Sequence, residues 1–226
     1  MAQFQTIEVA GFVPAIAGMR HPLKSYDKAD TQVNEQGEVL IGQNDYNLAK
    51  RLIKAGSPEH AKFLRQICVW VNITAPRYFW SEFDTYKIGT TANSQSTMHR
   101  LLKDGISREE IDYPWNLSEE VDNYMINQIN VINSLINFYQ NEDNTQEQKE
   151  NLFLAIKSLL PEGYIQTRMI SLNYQTLRNM YRQRKDHRLL HWNRDFVNWV
   201  HTLPMSEWIT EEFAENSVEN SGVDSN

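Results

Sequence analysis

An α+β domain dominated by helix is the fold class that three observations predict. A β-branched run, Val69 to Thr74, alternates its side chains between two faces. Two longer segments, opening at Ser118 and at Thr145, repeat apolar residues at helical spacing. Turn and cap residues punctuate the chain between these patterns, and no internal repeat is visible. With 226 residues and 41% hydrophobic content the chain suffices for one compact domain. That domain is expected to cover residues 1–210, with residues 211–226 as an acidic flexible tail.

Residues 1–43 are mixed, with turn signals at Gly11, Pro14, Gly18, Pro22 and Gly37. Asn44 or Asp45 can cap a helix that carries Leu48, Ala49, Leu52 and Ile53, with Gly56 where a C′ residue belongs. Ser57-Pro58-Glu59 restarts a short helix bearing Phe63, Leu64 and Ile67. In the strand that follows, Val69, Val71 and Ile73 share one face, and Trp70, Asn72 and Thr74 the other. Pro76 opens a helix expected to run through Lys87. Gly89 to Ser96 reads as a polar loop, and Ser96 or Thr97 caps a short helix that stops near Gly105.

Ser118 begins a long helix with Val121, Met125, Ile129, Ile132, Leu135, Ile136 and Tyr139 on its apolar face. Thr145 and Gln148 form a capping box for a helix that Pro161 halts. Residues 165–172 read as a second strand. Asn173 caps a helix through Leu177, Met180 and Tyr181, and a last helix holds Phe196, Val197, Val200 and Leu203.

The charge balance narrows the functional classes. A net charge of −7 argues against a general nucleic-acid binder. No apolar run approaches the length of a membrane helix and no secretory signal is present, so a soluble cytoplasmic protein is expected. One cysteine, Cys68, forbids an internal disulfide, and its apolar setting reads as core rather than nucleophile. His187 and His191 are spaced i, i+4 without a matching carboxylate, which does not make a metal site. Two stretches stand out as candidate sites. The small and amide residues of Gly89 to Thr97 would let a ligand approach the backbone. Arg178, Arg182, Arg184, Lys185, Arg188 and Arg194 concentrate cations against one acid, Asp186, which suggests an anionic ligand. The commoner readings are a hydrophilic connector and a solvated charged face.

Two stretches, Ala75 to His99 and Leu160 to Arg184, resemble the flavin-dependent thymidylate synthases. In that family a strand ending in Ala-Pro leads through a helix to the signature R-H-R-x-x-S-x-N-E-x-S-x-R. From Ala75-Pro76 the R-H-R falls on Thr85, Tyr86 and Lys87. After one inserted residue the signature serine falls on Thr90 or Thr91, its asparagine on Asn93, its glutamate on Ser94, its second serine on Ser96 and its final arginine on Met98. Farther on, Leu160-Pro161, Asn173, Leu177, Asn179 and Arg184 keep the family's spacing.

The resemblance implies an antiparallel sheet flanked by helices, assembled as a homotetramer with sites between subunits. It implies FAD-dependent reductive methylation of dUMP, or of a related pyrimidine nucleotide, with methylenetetrahydrofolate and NADPH as co-substrates. Thr85, Tyr86, Lys87, Asn173 and Asn179 would hold the flavin; Asn93, Ser94, Ser96 and Arg184 would hold the nucleotide. No protein side chain is required as a nucleophile, since a flavin carries the hydride. The altered R-H-R keeps a second expectation alive, a non-catalytic nucleotide- or partner-binding protein on the same fold.

Overall fold

The computed structural model describes residues 1–57, 59–97 and 99–214. The chain begins with β1 (Gln3–Ala10) and α1 (Phe12–Arg20), then a small hairpin of β2 (Gln32–Val33) and β3 (Val39–Leu40), then α2 (Gln43–Lys54). After a 3₁₀ turn come β4 (Cys68–Pro76), α3 (Arg77–Phe83), β5 (Thr90–Ser94) and α4 (Arg100–Asp104). The long helices α5 (Glu119–Tyr139) and α6 (Gln146–Leu159) precede β6 (Ile165–Asn173) and α7 (Tyr174–Arg184). A π turn at His191–Phe196, α8 (Val197–His201) and α9 (Glu207–Thr210) complete the order. Among the described residues no helix is long and apolar enough to cross a membrane.

One antiparallel sheet, ordered β1-β4-β6-β5, organises the domain. Its centre follows from the alternation in β4: Val69, Val71, Ile73 and Ala75 are buried on one face, while Trp70, Asn72 and Thr74 on the other are half-buried. β4 pairs with β6 along its whole length, from Cys68 opposite Asn173 to Pro76 opposite Ile165. The inward face joins Phe79, Trp80, Leu177, Met180, Trp192 and Trp208 in the main core. A second core forms between α5, α6 and the chain before them, from Leu101, Ile111, Ile129, Ile132, Ile136, Ile156 and Leu160.

Several caps stand where the residues place them. Ser118 caps α5, Thr145 and Gln148 form the capping box of α6, and Asn173 caps α7. Gly56 follows α2 with φ of +76°, the left-handed C′ conformation.

Four expectations need correction. Residues 1–43 contain β1, whose alternation is broken by a bulge between Thr6 and Glu8, so that Ile7 faces outward and period 2 is lost to the eye. The helix after Pro76 ends at Phe83 instead of Lys87; the tight bonds Thr85 N–H to Glu82 O and Tyr86 N–H to Phe83 O unwind it. The polar stretch after Gly89 is an edge strand, β5, held by the backbone of β6, and with both faces open it carries no hydrophobic alternation. The segment after residue 210 is not free at its start: Glu211 pairs with Arg178 and Arg182, and Phe213 packs on the main core. Residues 215–226 of the expected tail lie outside the described residues.

Candidate functional site

The first turn of α7 anchors one group of candidate side chains. Asn173 leaves β6 and turns its Oδ1 onto the next helix, accepting from the Thr176 backbone N–H at 2.9 Å and from its hydroxyl at 3.2 Å. Gly89 sits against this cap with φ of +75°; a Cβ there would lie 2.6 Å from Thr176 Oγ1 and 2.9 Å from Asn173 Nδ2. Only glycine combines that backbone with that proximity. The turn from α3 is thereby pressed onto α7, and the Thr90 hydroxyl donates to the Tyr86 carbonyl within it. Tyr86 reaches the far end of α7, donating to Gln183 Oε1 at 3.0 Å and accepting from Arg184 Nε at 2.8 Å. Thr85 and Lys87 are exposed on the same turn, and Thr85 donates its hydroxyl to the Glu82 carbonyl.

Asn179 is exposed on α7 and accepts from Gln175 Nε2 at 3.0 Å. That bond leaves Gln175 Oε1 shielded from water with no partner among the described residues. Asn173, Gln175 and Asn179 thus offer amide donors and acceptors along two turns of one helix. Gln175 escaped the sequence reading because an amide on a helix surface carries no signal until a neighbour leaves half of it unpaired.

Arg184 is already engaged. Its guanidinium meets the Glu82 carboxylate and lies over the rings of Trp192, at 4.9 Å, and Tyr86, at 5.5 Å. His187 approaches the same carboxylate at 3.3 Å.

The other candidates lie elsewhere. Asn93 and Ser94 are on the open edge β5, opposite Met169 and Arg168. Ser96 Oγ accepts from the His99 backbone N–H at 3.2 Å and helps to start α4. Thr97 Oγ1 accepts from Lys157 Nζ at 2.6 Å. Lys157, in the last turn of α6, was missed by sequence reading. Burial first, and the charge of Arg77 second, push its pKa below the ordinary lysine value. Among the described residues no carboxylate stands within ion-pair distance of it, whereas Arg77 is held by Glu162 and the Leu160 carbonyl. A half-buried ammonium with a hydroxyl partner and no counter-ion is a place for an anion. Met98, where the signature arginine falls, lies outside the described residues.

The nucleotide set expected from the resemblance is therefore split within one chain. Thr90 pairs beside Asn173 and Ser94 pairs with Arg168, four residues along the strand, about 13 Å at the usual rise. Arg184 belongs with the first end; Ser94, Ser96 and Lys157 belong with the second.

The basic stretch is likewise corrected as an anion site. Arg178 is buried, donating to Glu211 at 2.8 Å and to the Ile53 carbonyl at 3.1 Å. Arg182 takes the same Glu211, and Arg194 takes Asp195. These cations meet their anions inside the chain.

The four-stranded antiparallel sheet flanked by helices matches the fold of solved flavin-dependent thymidylate synthase structures. The chain is similar to a crystal structure of thymidylate synthase X from Helicobacter pylori with FAD and dUMP, at a TM-score of 0.68 and 17% identity, over 94% of this chain and 98% of that one. A second structure of the flavin-dependent thymidylate synthase from Helicobacter pylori, complexed with FAD and dUMP, gives a TM-score of 0.66 and 17% identity, over 93% of this chain and 98% of that one. No protein-family model matches the chain, and no curated protein sequence does.

Proposed function

We propose that this protein binds FAD and a pyrimidine nucleotide and carries out the reductive methylation of dUMP, or of a related nucleotide. The observation that carries the reading is the amide set Asn173, Gln175 and Asn179 on α7, the helix whose far end Tyr86 reaches through Gln183, in a fold whose solved neighbours hold FAD and dUMP. The unpaired, shielded Gln175 Oε1 fits a bound group that donates to it. Asn173 and Asn179 would contact the flavin from α7, Tyr86 would offer an aromatic face, and Thr85 and Lys87 would add a hydroxyl and a point charge. FAD, when bound, would supply the hydride, with methylenetetrahydrofolate giving the carbon and NADPH the electrons.

The nucleotide phosphate would sit against Lys157 and Thr97, with Asn93, Ser94 and Ser96 along the adjoining edge. Arg184, on α7, lies toward the Thr90 end of β5 and away from them, so within one chain it does not join them and would be supplied by a second protomer. That separation supports a homotetramer with shared sites. The domain reading, residues 1–210, stands within this proposal with Glu211 to Phe213 added to the packed body.

One observation favours a second reading, a non-catalytic nucleotide- or partner-binding protein. Glu82 occupies the guanidinium of Arg184, and Thr85, Tyr86 and Lys87 stand in place of an R-H-R. The visible absorption spectrum of the purified protein separates the two. A yellow protein, or one whose Tm rises with added FAD, supports the first reading. A colourless protein with no thermal shift at FAD far above micromolar overturns it.

A further inference from the structure

Arg184 has two kinds of neighbour. Glu82 and the Tyr86 hydroxyl each claim one of its N–H groups, at Nη1 and at Nε. Among the described residues Nη2 donates to nothing, so that end of the guanidinium is left for a ligand. The third neighbour is Trp192, whose ring centroid lies 4.9 Å from Arg184 Cζ. A carboxylate takes an individual N–H away from any ligand, whereas a ring face attracts the cation as a whole. Trp192 is fully buried and the Arg184 side chain is only 16% exposed, so little water weakens that attraction.

Packing fixes the ring. Trp192 stacks on Phe79 at 4.3 Å and meets Phe196 edge-on at 5.3 Å. Its own indole N–H has no hydrogen-bond partner among the described residues. It belongs to the π turn His191–Phe196, a rare conformation that collects at functional sites. That turn is tied down at its first residue, where His191 bonds Asp112 and, at 3.2 Å, Tyr78 Oη.

We propose that Trp192 is a positioning residue for the nucleotide: its ring face holds the Arg184 guanidinium where Nη2 can reach the ligand. The inference rests on the reading of Arg184 as a nucleotide ligand. Glu82 and Trp192 then act on Arg184 with opposite sign. Removing the carboxylate frees a donor and strengthens binding, while weakening the ring face loosens the guanidinium and weakens binding.

The test replaces all 6 tryptophans biosynthetically by mono- and then difluorinated tryptophan. Fluorine draws charge off the ring face and changes its shape little, so a merely structural ring would not respond. Calorimetric titration with dUMP should show binding weakened in step, by about threefold and then about tenfold. Trp192→Phe should bind dUMP within about threefold of the unaltered protein and lose the fluorine dependence. Trp115 also lies under an arginine, Arg108, at 4.1 Å, and the dependence should survive Trp115→Phe. Affinity indifferent to fluorine overturns the proposal, as does a dependence that persists in Trp192→Phe or vanishes in Trp115→Phe. The fluorine series in the unaltered protein and in Trp115→Phe decides the matter even where Trp192→Phe does not fold. Binding of dUMP without fluorine dependence removes only this inference, whereas no dUMP binding by the unaltered protein removes the nucleotide reading and this inference with it.

Discussion

The substitution Glu211→Gln tests whether the basic stretch is an internal strut or an open anion site. Arg178 is 3% exposed on its side chain, and its charge is balanced by Glu211 Oε1 at 2.8 Å, with the Ile53 carbonyl as its second partner. The pair ties α7 to α2 and to the segment after α9. Burial raises the Glu211 carboxyl, but the Arg178 and Arg182 guanidiniums more than offset it and leave the group below the usual glutamate value. Removing one partner of a fully buried pair costs about 3–5 kcal/mol. Glu211 is 29% exposed and Arg178 keeps its carbonyl, so a loss of about 2–3 kcal/mol is the working figure. For a chain of this size that lowers Tm by about 4–12 °C. Arg178→Met together with Glu211→Gln should recover much of the loss, since no charge is then stranded. Urea unfolding at pH 7 of the two single variants and the double variant gives the cycle. A Glu211→Gln loss below about 0.5 kcal/mol, within the range of an ordinary surface pair, would refute the strut.

Three further outcomes follow from the same geometry. Glu82→Gln should free Arg184 and strengthen dUMP binding by about tenfold, the equivalent of roughly 1.4 kcal/mol; calorimetric titration showing unchanged or weaker affinity counts against Arg184 as a nucleotide ligand. Gly89→Ala should cost about 2 kcal/mol and reduce FAD uptake, because the new Cβ meets Thr176 and Asn173 at a positive φ; an unaltered Tm and flavin content would remove the turn from the site. Asp112 accepts from Tyr78 at 2.9 Å and bonds His191, whose hydrogen bond is the main cause of a carboxyl held far below its ordinary value against the opposing effect of burial. A depressed carboxyl stabilises the fold above its unfolded pKa of about 3.9 and loses that contribution as pH falls toward the folded value. Asp112→Asn should therefore be destabilised by about 2–4 kcal/mol at pH 7, with the gap to the parent protein closing below about pH 4; a gap that widens on acidification would contradict the assignment.

Local signals in the chain settled the elements whose stability is local. The caps at Ser118, Thr145 and Asn173, the C′ glycine Gly56 and the alternation of β4 each satisfy their own backbone within a few residues, so the sequence determined them. The spacing of Asn173, Asn179 and Arg184 came from the family resemblance instead, and the structure sets Asn173 at the N-cap of α7 and the other two within it. What lay beyond a few residues was decided by tertiary structure. β5 exists because β6 offers it a hydrogen-bonding edge, and no side-chain pattern in Thr90 to Ser94 announces that. Glu82 finds Arg184 across 102 residues and Glu211 finds Arg178 across 33, so arginines that read as part of an unmatched cluster along the chain are matched in space. Lys157 stood out only when partial burial and Thr97 surrounded it, with no carboxylate in ion-pair range among the described residues. Charge and hydrogen-bond pairing act over ångströms whatever the distance along the chain, so a sequence lists the partners and only the fold says which ones meet.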